Sequence, residues 1–226
     1  MVEILTNYRY MKLIKNKIIK LVTKFKAFRN KGLYKYKNYE EYKTVQIEGN
    51  LRKLDRVWVS EDNIELLSDY IKKNVPNLSF GLCHGTRRGV EQVFFRENLG
   101  IEVIGTEISP TAADFPHTIE WDFHEVKDEW LGSVDFIYSN SFDHSYDPEK
   151  CLDAWMSCVK EDGICILEWT FNSMVKTKLD PFAASKKDYK KLINKKYKIK
   201  DIIKGNLSGL EKDQETTFFI VAHKSS

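Results

Sequence analysis

The stretch Phe80–Phe95 reads FGLCHGTRRGVEQVFF and combines an apolar run, a glycine-containing turn and an amphipathic pattern. The apolar run is typical of a short buried strand, and the amphipathic pattern predicts a helix that ends at Gly100. A strand that turns at glycine into a helix points the first N–H groups of that helix at a ligand, usually an anion or a nucleotide. The sequence therefore predicts a ligand-binding loop here, and this loop carries two arginines, Arg87 and Arg88.

Further strand and helix patterns alternate on both sides of this stretch. Ser60 is a predicted helix N-cap, and Ser109-Pro110 and Asp147-Pro148 each read as an N-cap followed by the first residue of a helix. Strand-like runs are IEVIGTE, HTIEW, VDFIYSN and ICILEW, and two more, YKIKDII and TTFFIVAH, are joined without a helix. Alternating strands and helices predict a doubly wound α/β fold with a mostly parallel sheet, closed by a C-terminal antiparallel hairpin. Ligands of such sheets bind at the carboxyl ends of the first strands.

Charge divides the chain into two parts. Residues 1–37 contain eleven Lys or Arg residues and one acid, Glu3, whereas the whole chain carries a net charge of only +3. Residues 11–28 also repeat apolar side chains at helical spacing, which predicts a basic amphipathic helix. Such a helix packs on the main domain, lies on an anionic membrane surface, or binds nucleic acid or a protein partner. We expect a basic arm with a linker or lid over residues 1–58 and an α/β domain over residues 59–226.

Several classes of protein are disfavoured by composition. No apolar run approaches the roughly 20 residues that cross a bilayer, and no secretion signal is recognisable, so we expect a cytoplasmic protein, with the arm as its one route to the inner face of the membrane. The body's acidic balance argues against nucleic acid as a partner. The His, Cys, Asp and Glu residues show no metal-ligand spacing. The four cysteines form no CxxC pair and are expected to be free thiols: Cys83, Cys151, Cys158 and Cys165.

Over residues 60–224 the order of these signals resembles that of class I S-adenosylmethionine-dependent methyltransferases, which have a Rossmann-like seven-stranded sheet. VIGTEISP resembles the family's second strand, whose terminal acid, here Glu107, holds the ribose hydroxyls of the cofactor. VDFIYSNSFDHSYDPEKCL resembles the fourth strand with its following loop, and VKEDGICILEW resembles the turn and the fifth strand. The first loop departs from the family pattern of three alternating glycines, because only Gly85 occupies its expected place.

The resemblance implies S-adenosylmethionine as cofactor and assigns a set of binding residues. The altered first loop would hold the methionine portion, with an arginine binding its carboxylate. Glu107 and Ile108 would contact the ribose and adenine, Asp122 and Phe123 the adenine, and Ser139 and Asn140 would lie near the methyl group. The loop residues in this set are Gly81, Cys83, His84, Gly85, Thr86 and Arg87.

Catalysis of methyl transfer needs a base only when the acceptor loses a proton. His144, with Asp143 beside it, follows the fourth strand and is the predicted general base; its alternative role is to orient the loop. The acceptor is predicted to be a small molecule or a glycan- or lipid-linked group. Two other functions stay open: a methyltransferase-like binding module without activity, and a protein that binds a nicotinamide nucleotide.

Overall fold

The computed structural model describes residues 31–206 and 216–224, and contains a seven-stranded sheet with helices on both faces. The basic helix predicted over residues 11–28 lies outside the described residues. The first described elements are a short strand, β1 (Gly32–Leu33), and the helices α1 (Tyr39–Arg52) and α2 (Glu61–Asn74). Later elements are β2 (Phe80–His84), α3 (Val90–Leu99), β3 (Glu102–Glu107), β4 (Thr118–Glu120), β5 (Val134–Ser139), α4 (Pro148–Cys158), β6 (Val159–Trp169), β7 (Phe182–Ala183), α5 (Lys186–Lys196), β8 (Lys198–Gly205) and β9 (Thr216–Ala222).

The main sheet has the strand order β4-β3-β2-β5-β6-β9-β8. Strands β4, β3, β2, β5 and β6 run parallel, whereas β9 is antiparallel to both β6 and β8. The predicted mostly parallel sheet with its C-terminal antiparallel hairpin is therefore confirmed. The strand order reverses at β2, because β3 lies on one side of it and β5 on the other. The carboxyl ends of these three strands consequently form the ligand crevice expected for such sheets.

Two apolar layers cover the sheet, because neighbouring residues of each central strand point to opposite faces. Cys83 of β2 packs on the face that α2 and α3 cover, whereas its neighbour Leu82 packs on the face that α4 and α5 cover. In β5, Phe136 packs on the same face as Cys83, and Ile137 packs on the same face as Leu82. Near-continuous burial of both faces explains why the central strands read as apolar runs rather than as alternating patterns.

The structure differs from the sequence-based expectation at three connections. Ser109 accepts a bond from the N–H of Thr111 at 3.4 Å, but the helix after it is a five-residue 3₁₀ helix, Pro110–Asp114. The expected turn at Asp162 and Gly163 lies within β6, which begins directly after α4, and its pairing with β5 is irregular between Val159 and Ile164. Residues 32–43, the tyrosine-rich part of the predicted linker or lid, lead into helix α1, which begins at Tyr39.

Candidate cofactor and acceptor site

The loop after β2 is shaped by left-handed backbone at three positions. Gly85, Arg87 and Gly89 have φ angles of +74°, +46° and +71°. A side chain at Gly85 would be excluded on a second ground, because a Cβ there would lie 2.7 Å from the Cβ of Ser141. Left-handed backbone is unusual for arginine and is found most often where a site constrains the chain. Gly85 therefore stands where the loop packs against Ser141, just after β5, and Arg87 is held in a strained backbone conformation.

Glu107, the last residue of β3, lies against this loop. Its carboxylate accepts the backbone N–H of Arg87 at 3.0 Å and that of Ser109 at 3.1 Å. Its side chain is buried, and burial raises the pKa of Glu107, while the two N–H donors act in the opposite direction. Glu107 is therefore held against the glycine loop by a direct hydrogen bond, and its predicted role at the ribose stays a prediction.

Helix α1 packs over the crevice at the carboxyl ends of the strands. Asn38 caps it by accepting a bond from the N–H of Glu41 at 2.9 Å, and Glu41 in turn accepts one from the N–H of Lys37 at 2.7 Å. This reciprocal pair resembles a capping box and was a sequence signal for the helix. The side of α1 that faces the crevice is largely polar, with Tyr42, Gln46, Gly49 and Asn50 buried.

Two contacts fasten α1 to the rest of the site. Leu179 packs where a side chain at Gly49 would otherwise stand, since a Cβ there would lie 2.1 Å from the Leu179 Cδ1. At the carboxyl end of α1, the guanidinium of Arg87 donates to the carbonyl oxygens of Lys53 and Arg56, each at 3.4 Å. Arg87 therefore supports Glu107 through its backbone and the cover helix through its side chain.

A narrow cavity between α1 and the strand ends brings together several predicted cofactor residues. Gly85, Arg87, Glu107, Ile108 and Phe123 all line it. A small adjoining cavity is lined by Thr86 and Asn140 as well as by Arg87. The residues of α1 and Leu179 also line the first cavity and were not predicted, because their segments carry no motif for cofactor binding.

The other predicted cofactor residues have side chains in the packing around the cavity. A Cβ at Gly81 would meet the Phe136 ring at 2.3 Å, and Cys83 lies in the apolar core. His84 is buried, with its Nδ1 2.8 Å from the Thr106 hydroxyl and its ring near Trp155; burial lowers its pKa to about 3, so the ring is neutral. The predicted cofactor contacts of these three residues stay predictions.

Asp122 and Ser139 are likewise engaged by neighbouring groups. Asp122 accepts bonds from the N–H and the Nδ1 of His124 at 2.9 and 2.8 Å, and from the Tyr39 hydroxyl at 2.7 Å. Burial alone would raise the pKa of Asp122, but the bonds from His124 and Tyr39 outweigh it and lower that pKa. Ser139 donates its hydroxyl to the His84 carbonyl at 2.9 Å. Their cofactor roles also stay predictions.

Beside this narrow cavity lies a larger cavity of about 220 Å³, which both predicted catalytic residues line. His144 borders both cavities, and Asp143 borders the second together with Glu168 and Asp180. Burial, with the nearby carboxylate of Asp180, raises the pKa of Asp143, whereas burial lowers the pKa of His144. Arg87 also lines both cavities, so this residue of the glycine loop lies at the boundary between them.

Within residues 31–206 and 216–224, none of the helices combines the length and apolar content needed to span a bilayer. The same residues contain no group of three or more His, Cys, Asp or Glu side chains placed to hold a metal ion.

Comparison with known proteins relates the chain to others by structure alone. No protein-family model matches the sequence, and no curated protein matches it significantly. The 1,6-didemethyltoxoflavin-N1-methyltransferase of Burkholderia thailandensis, solved with 1,6-didemethyltoxoflavin and S-adenosylhomocysteine, superimposes with a TM-score of 0.65 at 12% identity, covering 85% of this chain and 93% of its own.

Two other solved methyltransferases are similar in the same way. The geranyl diphosphate C-methyltransferase of Streptomyces coelicolor A3(2), solved with Mg²⁺, geranyl diphosphate and S-adenosyl-L-homocysteine, gives a TM-score of 0.55 at 10% identity and covers 71% and 77% of the two chains. A TehB-like SAM-dependent methyltransferase from Corynebacterium glutamicum gives 0.53 at 15% identity and covers 83% and 100%. The protein has the fold of the class I S-adenosylmethionine-dependent methyltransferases.

Proposed function

We propose that this protein is a methyltransferase that uses S-adenosylmethionine to methylate a small-molecule acceptor. The observation that carries the proposal is the contact between the Arg87 backbone and the Glu107 carboxylate at the carboxyl ends of two adjacent parallel strands. That is where ligands bind in open α/β sheets. The solved structures with this fold that contain S-adenosylhomocysteine support the choice of cofactor.

The residues at the crevice fit the cofactor at both of its ends. The Thr86 hydroxyl is buried and has no hydrogen-bond partner among the described residues, so it is available to a polar group of the ligand. Gly85 lines the cavity, and Arg87 supplies a guanidinium for a carboxylate. Glu107 and Ile108 line the far side of the cavity, where they would hold the ribose and the adenine.

The bound cofactor would supply a methyl group on a sulfonium, which is a good leaving group. The protein's part is then to position the acceptor, exclude water and take up a proton where one is released. Helix α1 and Leu179 cover the cofactor cavity, which limits the access of water. His144 borders both cavities and is therefore placed to act on an acceptor held in the second one.

Titration calorimetry with S-adenosylmethionine, S-adenosylhomocysteine and NAD tests the cofactor assignment. We expect the first two to bind and NAD not to bind. Binding of NAD alone would favour a nicotinamide-nucleotide protein, and binding of none of them would favour a module without activity. Either result would refute the proposal.

We expect Arg87→Met to weaken S-adenosylmethionine binding roughly ten- to a hundredfold, because a hydrogen bond to a charged group contributes about 1.5–3 kcal/mol. The matched control is Arg96→Met, since Arg96 lies in the last turn of α3 and donates to the Val103 carbonyl instead. Equal affinities in the two variants would remove Arg87 from the cofactor site.

We further propose that the basic arm brings the protein to anionic membranes, where a lipid-linked or glycan-linked acceptor would lie. In support, Lys31 pairs with Asp188 at 3.1 Å, which holds the start of the described chain against α5. The face of α5 opposite the core carries the exposed lysines Lys187, Lys190 and Lys191.

Deletion of residues 1–30 is expected to abolish sedimentation with phosphatidylserine vesicles at low salt, because each basic residue near such a surface contributes about 1 kcal/mol. Neutral phosphatidylcholine vesicles are the control and should bind neither protein. Full retention of the truncated protein on the anionic vesicles would refute the role of the arm.

A further inference from the structure

Glu91 is a buried acid in the first turn of α3, directly after the glycine loop. Only 6% of its surface is exposed, and it lines the small cavity that Thr86, Arg87 and Asn140 also line. The Asn140 amide donates a hydrogen bond to the Glu91 Oε1 at 3.1 Å. Among the described residues, no cationic side chain forms an ion pair with Glu91. The carboxylate is therefore buried at a ligand cavity without a cation in contact with it.

The surroundings of Glu91 disfavour its charged form. Burial raises the pKa of Glu91 to about 7, and the nearby Glu168 carboxylate acts in the same direction. The Glu91 backbone N–H, the Asn140 amide and the Arg87 guanidinium lower this pKa, but they do not outweigh burial. A buried carboxylate without a bound cation costs folding free energy, and acids perturbed in this way are frequent at ligand-binding sites. The position thus favours a ligand that brings a positive charge.

Opposite charges line this cavity without neutralising one another by direct contact. Arg56, Arg87 and Arg88 line it with Glu91, but the guanidinium groups of Arg87 and Arg88 donate to backbone carbonyls of the segment that follows α1. Thr86 lines the same cavity, and its buried hydroxyl has no hydrogen-bond partner among the described residues. A ligand group that carries an anion and a cation close together would satisfy a guanidinium, the hydroxyl and the carboxylate at once. That is the charge pattern of an α-amino acid.

We propose that Glu91 binds the ammonium group of the cofactor's methionine portion, while Arg87 binds the carboxylate of the same portion. The inference rests on the proposed function and adds a cofactor-binding residue that the resemblance did not assign. A carboxylate can accept several hydrogen bonds, so Glu91 can accept one from the ammonium group and keep the one from Asn140. The Thr86 hydroxyl is then available as a donor to the ligand carboxylate.

The same carboxylate acts against cofactors that contain phosphate. A dinucleotide places its pyrophosphate at the N-terminus of the helix that follows the first strand of a doubly wound sheet. In this protein that helix is α3, and Glu91 lies in its first turn. A carboxylate at this place repels phosphate, whereas it attracts an ammonium group. We therefore expect Glu91 to favour an amino-acid-bearing nucleoside over a nicotinamide nucleotide.

Calorimetry of the full chain with two nucleosides separates this role from a general effect on the site. S-adenosylhomocysteine carries the amino-acid portion, whereas 5′-methylthioadenosine is the methyl thioether of the same nucleoside without that portion. Glu91→Gln keeps an acceptor for the Asn140 amide and removes the charge. We expect it to weaken S-adenosylhomocysteine binding roughly ten- to a hundredfold, the effect of losing a hydrogen bond to a charged group. Binding of 5′-methylthioadenosine should be unchanged.

Glu97→Gln is the matched control, because Glu97 is an exposed acid on the same helix, and it should bind both nucleosides like wild type. Thermal unfolding of the ligand-free proteins at pH 8 gives a second measurement. The folded-state pKa of Glu91 is raised above its ordinary value, so its contribution to stability is lost as pH rises through about 7. At pH 8 we therefore expect Glu91→Gln to unfold at a higher temperature than wild type.

Three results would each overturn the inference: equal affinity of wild type and Glu91→Gln for S-adenosylhomocysteine, an equal loss of affinity for both nucleosides, or a lower unfolding temperature of the ligand-free variant. If wild type binds S-adenosylhomocysteine in the same experiment, such a result rejects the role of Glu91 and leaves the proposed function standing. If wild type does not bind it, the proposed function and the role of Glu91 are both rejected.

Discussion

Replacement of Glu107 by alanine is expected to abolish measurable S-adenosylmethionine binding while the fold is kept. In the proposed complex the carboxylate accepts bonds from two ribose hydroxyls, and a hydrogen bond to a charged group contributes about 1.5–3 kcal/mol. Loss of both corresponds to a roughly 10²- to 10⁴-fold weaker affinity. The substitution also removes the acceptor for the N–H groups of Arg87 and Ser109, which loosens the glycine loop.

Calorimetry and thermal unfolding on the same samples check this expectation. Glu102→Ala is the matched control, because Glu102 is the exposed first residue of the same strand. We expect the control to bind like wild type and both variants to unfold cooperatively. A Glu107→Ala variant with wild-type affinity would exclude the ribose role and, with it, the observation on which the proposed function depends.

Asp135→Ala in β5 is expected to destabilise the protein by about 1.5–3 kcal/mol, the contribution of hydrogen bonds to a charged group. One of its oxygens accepts the N–H groups of Ser79 and Phe80 at 2.7 and 2.8 Å, and the other lies 2.6 Å from the Lys160 ammonium. Its side chain is 1% exposed. Removing the carboxylate takes the acceptor from the N–H groups of Ser79 and Phe80 and the partner from the partly exposed Lys160 ammonium.

The contribution of Asp135 is also expected to depend on pH. Burial alone would raise its pKa, but the bonds from Lys160 and the two N–H groups outweigh burial and lower it. Because the folded-state pKa is below the unfolded value of about 3.9, the stabilisation is complete above that pH and is lost as pH falls through the folded-state value.

Urea unfolding of wild type and Asp135→Ala at pH 7 and near pH 3 measures this difference. We expect the difference in free energy of unfolding between the two proteins to be smaller at the lower pH. Asp162→Ala, at an exposed position of β6, is the control and should change the free energy of unfolding little. A gap that stays constant with pH would show that the carboxylate's charge does not contribute.

The sheet could be predicted from sequence because its signals are local or follow from sheet geometry. Apolar runs marked the strands, and the Asp147-Pro148 signal marked the start of α4, where Asp147 accepts a bond from the Lys150 N–H. Gly85 and Glu107 were predicted to bind one cofactor, and both lie where the carboxyl ends of neighbouring parallel strands share one edge of the sheet. None of these inferences needed the orientation of a side chain.

Helix α1 could not be recognised as part of the site for the opposite reason. Its inward face buries the polar residues Gln46 and Asn50, so the apolar periodicity that marks an ordinary amphipathic helix is missing. Its contacts also reach far along the chain: the Tyr39 hydroxyl meets Asp122, and the Gln46 amide meets Leu179. Side-chain pairs at such separations leave no trace in a single sequence.

The tyrosines around α1 form a cluster of closely packed aromatic rings that should be visible by circular dichroism. The ring centroids of Tyr36 and Tyr42 lie 5.4 Å apart, those of Tyr42 and Tyr146 lie 4.7 Å apart, and Tyr146 packs on His124 at 4.2 Å. Rings this close couple their electronic transitions and produce circular dichroism in the near ultraviolet. Because the cluster joins α1 to the body, we expect its near-ultraviolet dichroism to change if α1 separates from the body. This signal can be followed in the unlabelled protein.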